Sequence, residues 1–190
     1  MSSLSSNAAV PLPDWPDERL AGLDNAALER AARTRVSEAL ERAREIYPAL
    51  PAPEVWFDLK GASAGQAHLG RGGLRFNPVL LRENRGIFFA DVIPHELAHW
   101  LVFHLQDGPR LKPHGREWQA VMRELFALAP RVTHRLDTRR AQSAPYRYRC
   151  RCRDHYFTPQ RHAQRQKGRH YRCRQCADTL VYSGRDAAQE

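Results

Sequence analysis

No apolar run in the 190-residue chain is long enough to cross a bilayer; the longest, Ile87 to Pro94, is broken by Asp91. The first twenty residues, MSSLSSNAAVPLPDWPDERL, lack a basic start and an apolar block of signal-peptide length. The expectation is therefore a non-secreted, cytoplasmic protein, free or associated with the nucleoid, with no membrane partner. No internal repeat is visible. Cysteine is scarce, with four residues, all at or beyond position 150. Acidic residues are scarce at one end: from Arg131 to Glu190, 15 Lys/Arg stand against 5 Asp/Glu, whereas residues 1–130 hold 15 and 16. The net charge of +9 therefore resides in the C-terminal third. Such segregation points to a polyanionic partner for that part, most simply nucleic acid, more than to a solvated basic surface. The remaining composition, 42% hydrophobic and 27% charged, is globular and excludes a wholly disordered or collagen-like chain.

Residues 1–23, rich in Ser, Pro and Asp, read as a disordered arm. Asp24 can cap a helix over 25–47, whose Leu28, Ala32, Val36, Ala39, Leu40, Ala43 and Ile46 form one apolar stripe. Short strand-like pieces follow at 55–59, 66–69 and 74–77, the last two flanking a glycine-rich turn as a hairpin. Pro78 to Asn84 suits a helical turn, and two further helices are expected near 87–105 and 115–128. Pro94 should kink or restart the first of these, because it lacks an N–H and crowds the preceding turn. Residues 131–145 read as a linker and 146–183 as a basic module with strands near 146–149, 171–172 and 179–182. A frayed tail is expected over 184–190.

His95-Glu96-Leu97-Ala98-His99 has the form H-E-x-x-H. Histidines four apart on a helix project from one face, about 6 Å apart along the axis, and can take two corners of a zinc tetrahedron. Glu96, one step on, reaches a water at the metal rather than the metal itself and suits a general base. The flanking Ile93, Leu97, Trp100, Leu101 and Phe103 make this a buried helix, in which hydrogen-bonded core histidines are the plainer alternative. A catalytic zinc needs a third protein ligand and an open position. Val102 and Leu105 stand where the extended metzincin pattern needs glycine and histidine, which excludes that class. His114, after a turn and at the start of the next helix, is the leading candidate; Glu117 and Glu124 are runners-up. His104, about 140° around the helix from His99, reads as structural, and His68 as a solvent-facing strand residue.

Cys150, Cys152, Cys173 and Cys176 form C-x-C and C-x2-C pairs, the pattern of a four-sulfur zinc ribbon whose folding is coupled to its metal. His155 is close enough in sequence to replace one cysteine. Arginines and tyrosines alternate with these ligands. Arg149, Arg151, Arg161, Arg165, Arg172 and Arg174 are candidate phosphate contacts, with tyrosine faces for stacking on bases, in a sequence-tolerant, salt-sensitive mode.

Taken in order, Gly61-Ala62-Ser63-Ala64-Gly65, Arg75-Phe76-Asn77-Pro78, Pro94-His95-Glu96-Leu97-Ala98-His99, Pro113-His114-Gly115-Arg116-Glu117-Trp118, Tyr148-Arg149-Cys150-Arg151-Cys152, Arg161-His162 and Tyr171-Arg172-Cys173-Arg174-Gln175-Cys176 resemble the SprT family of zinc metalloprotease-like proteins, whose eukaryotic relatives include the DNA-repair protease Spartan. The resemblance runs from about Gly61 to Tyr182. It implies that His95, His99 and His114 bind a catalytic zinc, that Glu96 is the catalytic base, and that a second, structural zinc sits on the cysteines. It also implies peptide-bond hydrolysis of a protein or peptide substrate, with DNA-associated or DNA-crosslinked proteins as the substrate class. The expected fold is α+β: a zincin-like core over 24–130, with helices packed on a small three-stranded sheet, followed by a small β zinc ribbon. A monomer is expected. The rival readings are a non-catalytic, regulatory nucleic-acid-binding zinc protein and a hydrolase of small amides or esters.

Overall fold

A computed structural model describes residues 11–105, 111–134, 136–138, 141 and 144–185. The chain divides into two compact units, Met1–Asp137 and Thr138–Glu190. No helix among the described residues is long and apolar enough to cross a membrane.

The first unit is a mixed helix and small-sheet structure. After α1 (Asp17–Ala21), the long helix α2 (Asn25–Arg44) begins where the Asp24 carboxylate accepts a 2.7 Å bond from the Ala27 N–H. Its apolar stripe is buried as expected from Leu28 to Ala43, but the helix stops three residues before the expected end and Ile46 is left exposed. Strands β1 (Glu54–Trp56), β2 (Gly65–His68) and β3 (Gly73–Phe76) form one sheet in the order β1-β3-β2. β1 runs parallel to β3, and β2 pairs antiparallel with it around a 3-10 turn over Leu69–Arg71. β2 is therefore an edge strand.

Asn77 joins this sheet to the helices. It is buried, and its side-chain oxygen accepts from the N–H groups of Val79 and Leu80, capping α3 (Pro78–Glu83). Its Nδ2 donates to the Gly61 carbonyl at 2.9 Å, and its backbone N–H donates to Ala64 at 2.8 Å. One residue thus ties the 61–65 loop to the start of a helix.

The expected helix over 87–105 is three segments: α4 (Arg85–Ile87), a π-helical turn (Phe88–Val92) and α5 (Ile93–Leu105). Pro94 lies at the start of α5, so the irregularity it demands is absorbed by the π turn that precedes it. The helix expected over 115–128 is likewise short, α6 (Arg116–Ala120) running into a π turn (Val121–Leu125).

Two expected boundaries are corrected here. The arm expected over 1–23 is not free from residue 11 onward: Leu12, Trp15 and Leu20 are buried, Trp15 donates to Glu38 at 2.8 Å, and its ring packs on Phe89. Large apolar side chains spaced along a polar stretch anchor it; residues 1–10 lie outside the described ones. The linker expected over 131–145 begins later, because the described residues of 131–137 return to the first unit, with the Asp137 N–H donating to Asn84 Oδ1 at 2.7 Å.

The second unit is a three-stranded antiparallel sheet in the order β5-β4-β6, from β4 (Tyr146–Arg149), β5 (Asp154–Phe157) and β6 (Val181–Arg185). Of the expected strand at 171–172 only an Arg172–Thr179 bridge remains. Neither β5 nor α7 (Pro159–Gln166) follows from hydrophobic period, because α7 carries no aliphatic stripe. Instead His162 stacks on Tyr146 at 3.8 Å and bonds the Tyr148 hydroxyl at 2.8 Å, while Arg161 lies over Phe157 and Tyr171. Gly184 and Arg185 pair with β4, so the frayed tail expected from 184 is corrected by two residues; 186–190 lie outside the described ones.

Candidate metal centres

His95 and His99 stand on one face of α5, as four-residue spacing requires. His114 reaches them from the turn before α6, where it adopts a left-handed backbone (φ 57°). A non-glycine residue held there carries strain that its surroundings must support. The adjacent turn does so: the Gly115 N–H closes on the Lys112 carbonyl at 2.9 Å, and Gln119 donates to the His114 carbonyl at 3.1 Å. The outcome is a triangle of Nε2 atoms, 3.3 Å from His95 to His99, 3.1 Å from His99 to His114 and 3.0 Å from His114 to His95. Ligands about 2.0–2.1 Å from a tetrahedral zinc would lie about 3.3 Å apart, so the three nitrogens fit one ion. Buried Trp118 on α6 packs its ring against all three imidazoles and donates to the His95 carbonyl.

Electrostatics favour the ligating form. Burial, then the neighbouring His99, His134 and His114, holds His95 down at about 3. Burial and His114 hold His99 at about 4, and burial lowers His114 as well. All three rings are then neutral at pH 7, the state in which an imidazole nitrogen can bind a metal.

Glu96 keeps part of its side chain at the surface, yet its carboxyl is enclosed, and burial pushes it up to about 7 against the opposing Ala67 hydrogen bond. That bond runs from the Ala67 N–H on β2 to Oε2 at 2.9 Å. Gly65 explains why the carboxylate can approach so closely: a Cβ there would lie 2.5 Å from Glu96 Cγ and 2.8 Å from Oε1. The 61–65 loop that Asn77 ties down therefore forms one wall of the site.

Among the described residues, Glu117 and Glu124 are not in the cluster of possible ligands, whose atoms all lie within 4.8 Å of one another. His104 packs on Trp100 and Phe103, and His68 accepts from the Arg71 N–H at 3.2 Å as the cap of the 3-10 turn, so both serve local structure. Sequence spacing gave no warning of His134. Its ring packs 5.1 Å from that of His95, and it comes from the stretch read as linker. Nor was the Arg131 carbonyl foreseen, which faces His95 Nδ1 at 3.2 Å and fixes the orientation of that ring. Only the absence of apolar period from 131 to 137 marked the segment, and that signal does not separate a linker from a packed irregular strap.

In the second unit the four cysteines also meet, as free thiols whose sulfurs lie within 4.8 Å of one another. Cys150 and Cys152 are 3.3 Å apart, and Cys152 and Cys173 3.6 Å, near the roughly 3.8 Å edge of a zinc–thiolate tetrahedron. His155 lies outside this group, 3.2 Å from Cys150 Sγ; burial pushes that thiol up, but hydrogen bonds with His155, Cys152 and Arg153 outweigh it and hold the thiol below its ordinary range, at about 7. The candidate phosphate-binding arginines differ in their contacts. Arg149 is paired with Asp154 at 2.7 Å, Arg151 reaches the Cys176 carbonyl, and Arg161 lies over two rings. Arg165 is partly buried, while Arg172 and Arg174 are exposed.

The model of the SprT-like family matches residues 34–137, which contain the histidine triangle, Glu96 and His134. The chain belongs to the SprT-like family. Protein SprT of Pseudomonas aeruginosa strain UCBPP-PA14 is 44% identical over 154 residues, covering 79% of this chain and 93% of the relative. Protein SprT of Shewanella oneidensis is 42% identical over 149 residues, covering 77% and 94%. That of Pseudomonas fluorescens strain Pf-5 is 43% identical over 154 residues, covering 80% and 93%. No solved structure matches significantly. The SprT-like match ends where the first unit ends, so the family model describes the histidine site and not the cysteine one.

Proposed function

We propose that this SprT-like chain is a zinc-dependent endopeptidase with a zincin-like core and a structural zinc ribbon, acting on DNA-associated or DNA-crosslinked proteins. The observation that carries the reading is the juxtaposition of two features. Three neutral imidazole nitrogens converge on one point, and an enclosed carboxylate with a pKa of about 7 stands on the next position of the same helix. His95, His99 and His114 would hold the ion. When bound, zinc would supply Lewis acidity, polarising the scissile carbonyl and acidifying water.

The remaining roles fall to side chains and backbone. Glu96 takes a proton from the attacking water and returns it to the leaving amine, a task that needs a carboxylate held within reach of both and shielded from bulk water. The Ala67 N–H and the missing side chain at Gly65 fix where that carboxylate sits. Trp118 keeps the imidazoles in place and excludes water behind them. β2 is an edge strand beside Glu96, so an extended peptide would lie along it. The charge of the C-terminal unit supports a role in holding DNA and raising the local concentration of DNA-bound substrates. A non-catalytic regulatory zinc protein has no use for a carboxylate that is desolvated and positioned in this way, which weighs against that alternative.

The test is Glu96→Gln, which keeps the shape and removes the base. Purified Glu96→Gln protein should bind as much zinc as wild type and cleave nothing in an assay with DNA and a DNA-binding protein. Wild-type proteolysis by that variant would refute the assignment.

A further inference from the structure

Arg35 lies on the buried side of α2, among the apolar residues, and is 4% exposed. A charged side chain in such a place is costly unless fully partnered. Its nearest carboxylate, Glu38, is 3.7 Å away and already accepts from Trp15. Its close partners are two backbone carbonyls: Nε donates to Phe89 at 3.1 Å and Nη1 to Pro13 at 2.7 Å.

The Phe89 carbonyl is the informative one. In an α-helix it would accept from the N–H four residues on, that of Ile93. Here the Ile93 N–H is committed to Phe88, the π-type bond that closes the preceding turn. A π-helix would offer the N–H five residues on, but that residue is Pro94, which has none. Both intrahelical donors are thus removed from a buried carbonyl at the switch from π to α, directly before the helix that carries His95, Glu96 and His99. Arg35 supplies the donor that Pro94 withholds.

We propose that Arg35 is a positioning residue for the histidine metal centre: by pairing with the orphaned Phe89 carbonyl it fixes the π-to-α switch, and hence the rotation at which His95 and Glu96 leave α5. The inference rests on the histidine site binding metal, as the proposed function requires, and not on hydrolysis. The same guanidinium also holds the Pro13 carbonyl, so the segment carrying Trp15 is tied to that switch.

The experiment is cobalt(II) titration of the full chain against a competing chelator, reading the histidine site by its absorption, which differs from that of thiolate-bound cobalt. Arg35→Met should weaken the histidine site by about tenfold, the low end of what losing a group bonded directly to a ligand costs, because Arg35 acts one step further out, through the Phe89 carbonyl. Arg35→Lys, which keeps one donor, should lose less. Leu28→Ala, a cavity on the same helix, should lower stability without changing affinity. Pro94→Ala restores an N–H, and in that background Arg35→Met should cost threefold or less. If Arg35→Met alone does not fold, the double variant should recover a folded, cobalt-binding protein. Unchanged affinity in Arg35→Met, an equal loss in Leu28→Ala, or a double variant that stays unfolded overturns the inference. A wild type that binds cobalt at the histidines yet cleaves nothing sinks the endopeptidase reading and leaves this one standing.

Discussion

The histidine cluster and the cysteine cluster are both candidate metal sites, yet their surroundings are of opposite kind. The histidines are presented by α5 and the turn before α6, within a unit that buries Leu28, Val36, Leu40, Leu74, Phe76, Leu80, Leu81, Phe88 and Phe89 in an apolar core of its own. The cysteine unit has a core of five buried residues, Tyr148, Cys150, Phe157, Cys173 and Leu180, two of which are thiols. So little apolar area cannot offset the ordering of some fifty residues, and a metal cross-link would supply what is missing. An ion at the histidines would add chemistry to a frame that has its own core; an ion at the cysteines would be part of the frame.

The largest effect is expected from the loss of one thiol. Cys173→Ser should abolish ordered structure in the C-terminal unit, read as rapid proteolysis beyond residue 138, while the first unit keeps its protection. His99→Ala should leave both units protected, because its loss leaves the helix packing intact. A C-terminal unit that stays protease-resistant without Cys173 would show that the two sites are alike after all.

A smaller effect sharpens the first half. Gly65→Ala places a methyl group where Glu96 now lies, so cleavage should fall about a hundredfold with zinc content unchanged, the usual consequence of moving a catalytic group by about an ångström. Undiminished turnover would mean that the Ala67–Glu96 geometry does not matter for catalysis.

Smallest is a dependence on pH that only the metal-free histidine unit should show. His95 is held at about 3 when folded, against about 6.5 in the unfolded chain. Between those values the unfolded state binds more protons, so stability rises with pH. The contribution is complete above about pH 6.5 and shrinks as pH falls towards 3, amounting to roughly 2 kcal/mol between pH 7 and 5 from this residue. Glu96, held at about 7 in the fold, adds the opposite slope to wild type and variant alike, so the test is the difference: urea midpoints of chelated His95→Gln should fall less steeply on acidification than those of wild type. Equal slopes would contradict the burial argument.

Much of this was legible in the chain itself, for reasons that differ by region. α2 and the helix bearing H-E-x-x-H announce themselves by period, because one face of each is buried. The pairing of His95 with His99 follows from spacing, since four residues bring two histidines to one side of a helix, whereas spacing alone leaves the third position open between His114, Glu117 and Glu124. His134 and the Arg131 carbonyl were not legible, because they act through an irregular segment with no period to read. Trp15 was hidden in a stretch whose composition is that of a tail. α7 escaped because His162 and Arg161 do the packing that leucines normally do, and polar residues carry no apolar stripe. The π turns were foreshadowed only by Pro94, which says that a helix must be irregular but not how.

Zinc counted per chain, in wild type beside His99→Ala and Cys173→Ser, tests the central claim that one protein holds two ions for two purposes. The account predicts two zincs in wild type and one in each variant, with cleavage lost in His99→Ala while its fold persists. A single zinc in wild type, or a His99→Ala protein that keeps both, would contradict it.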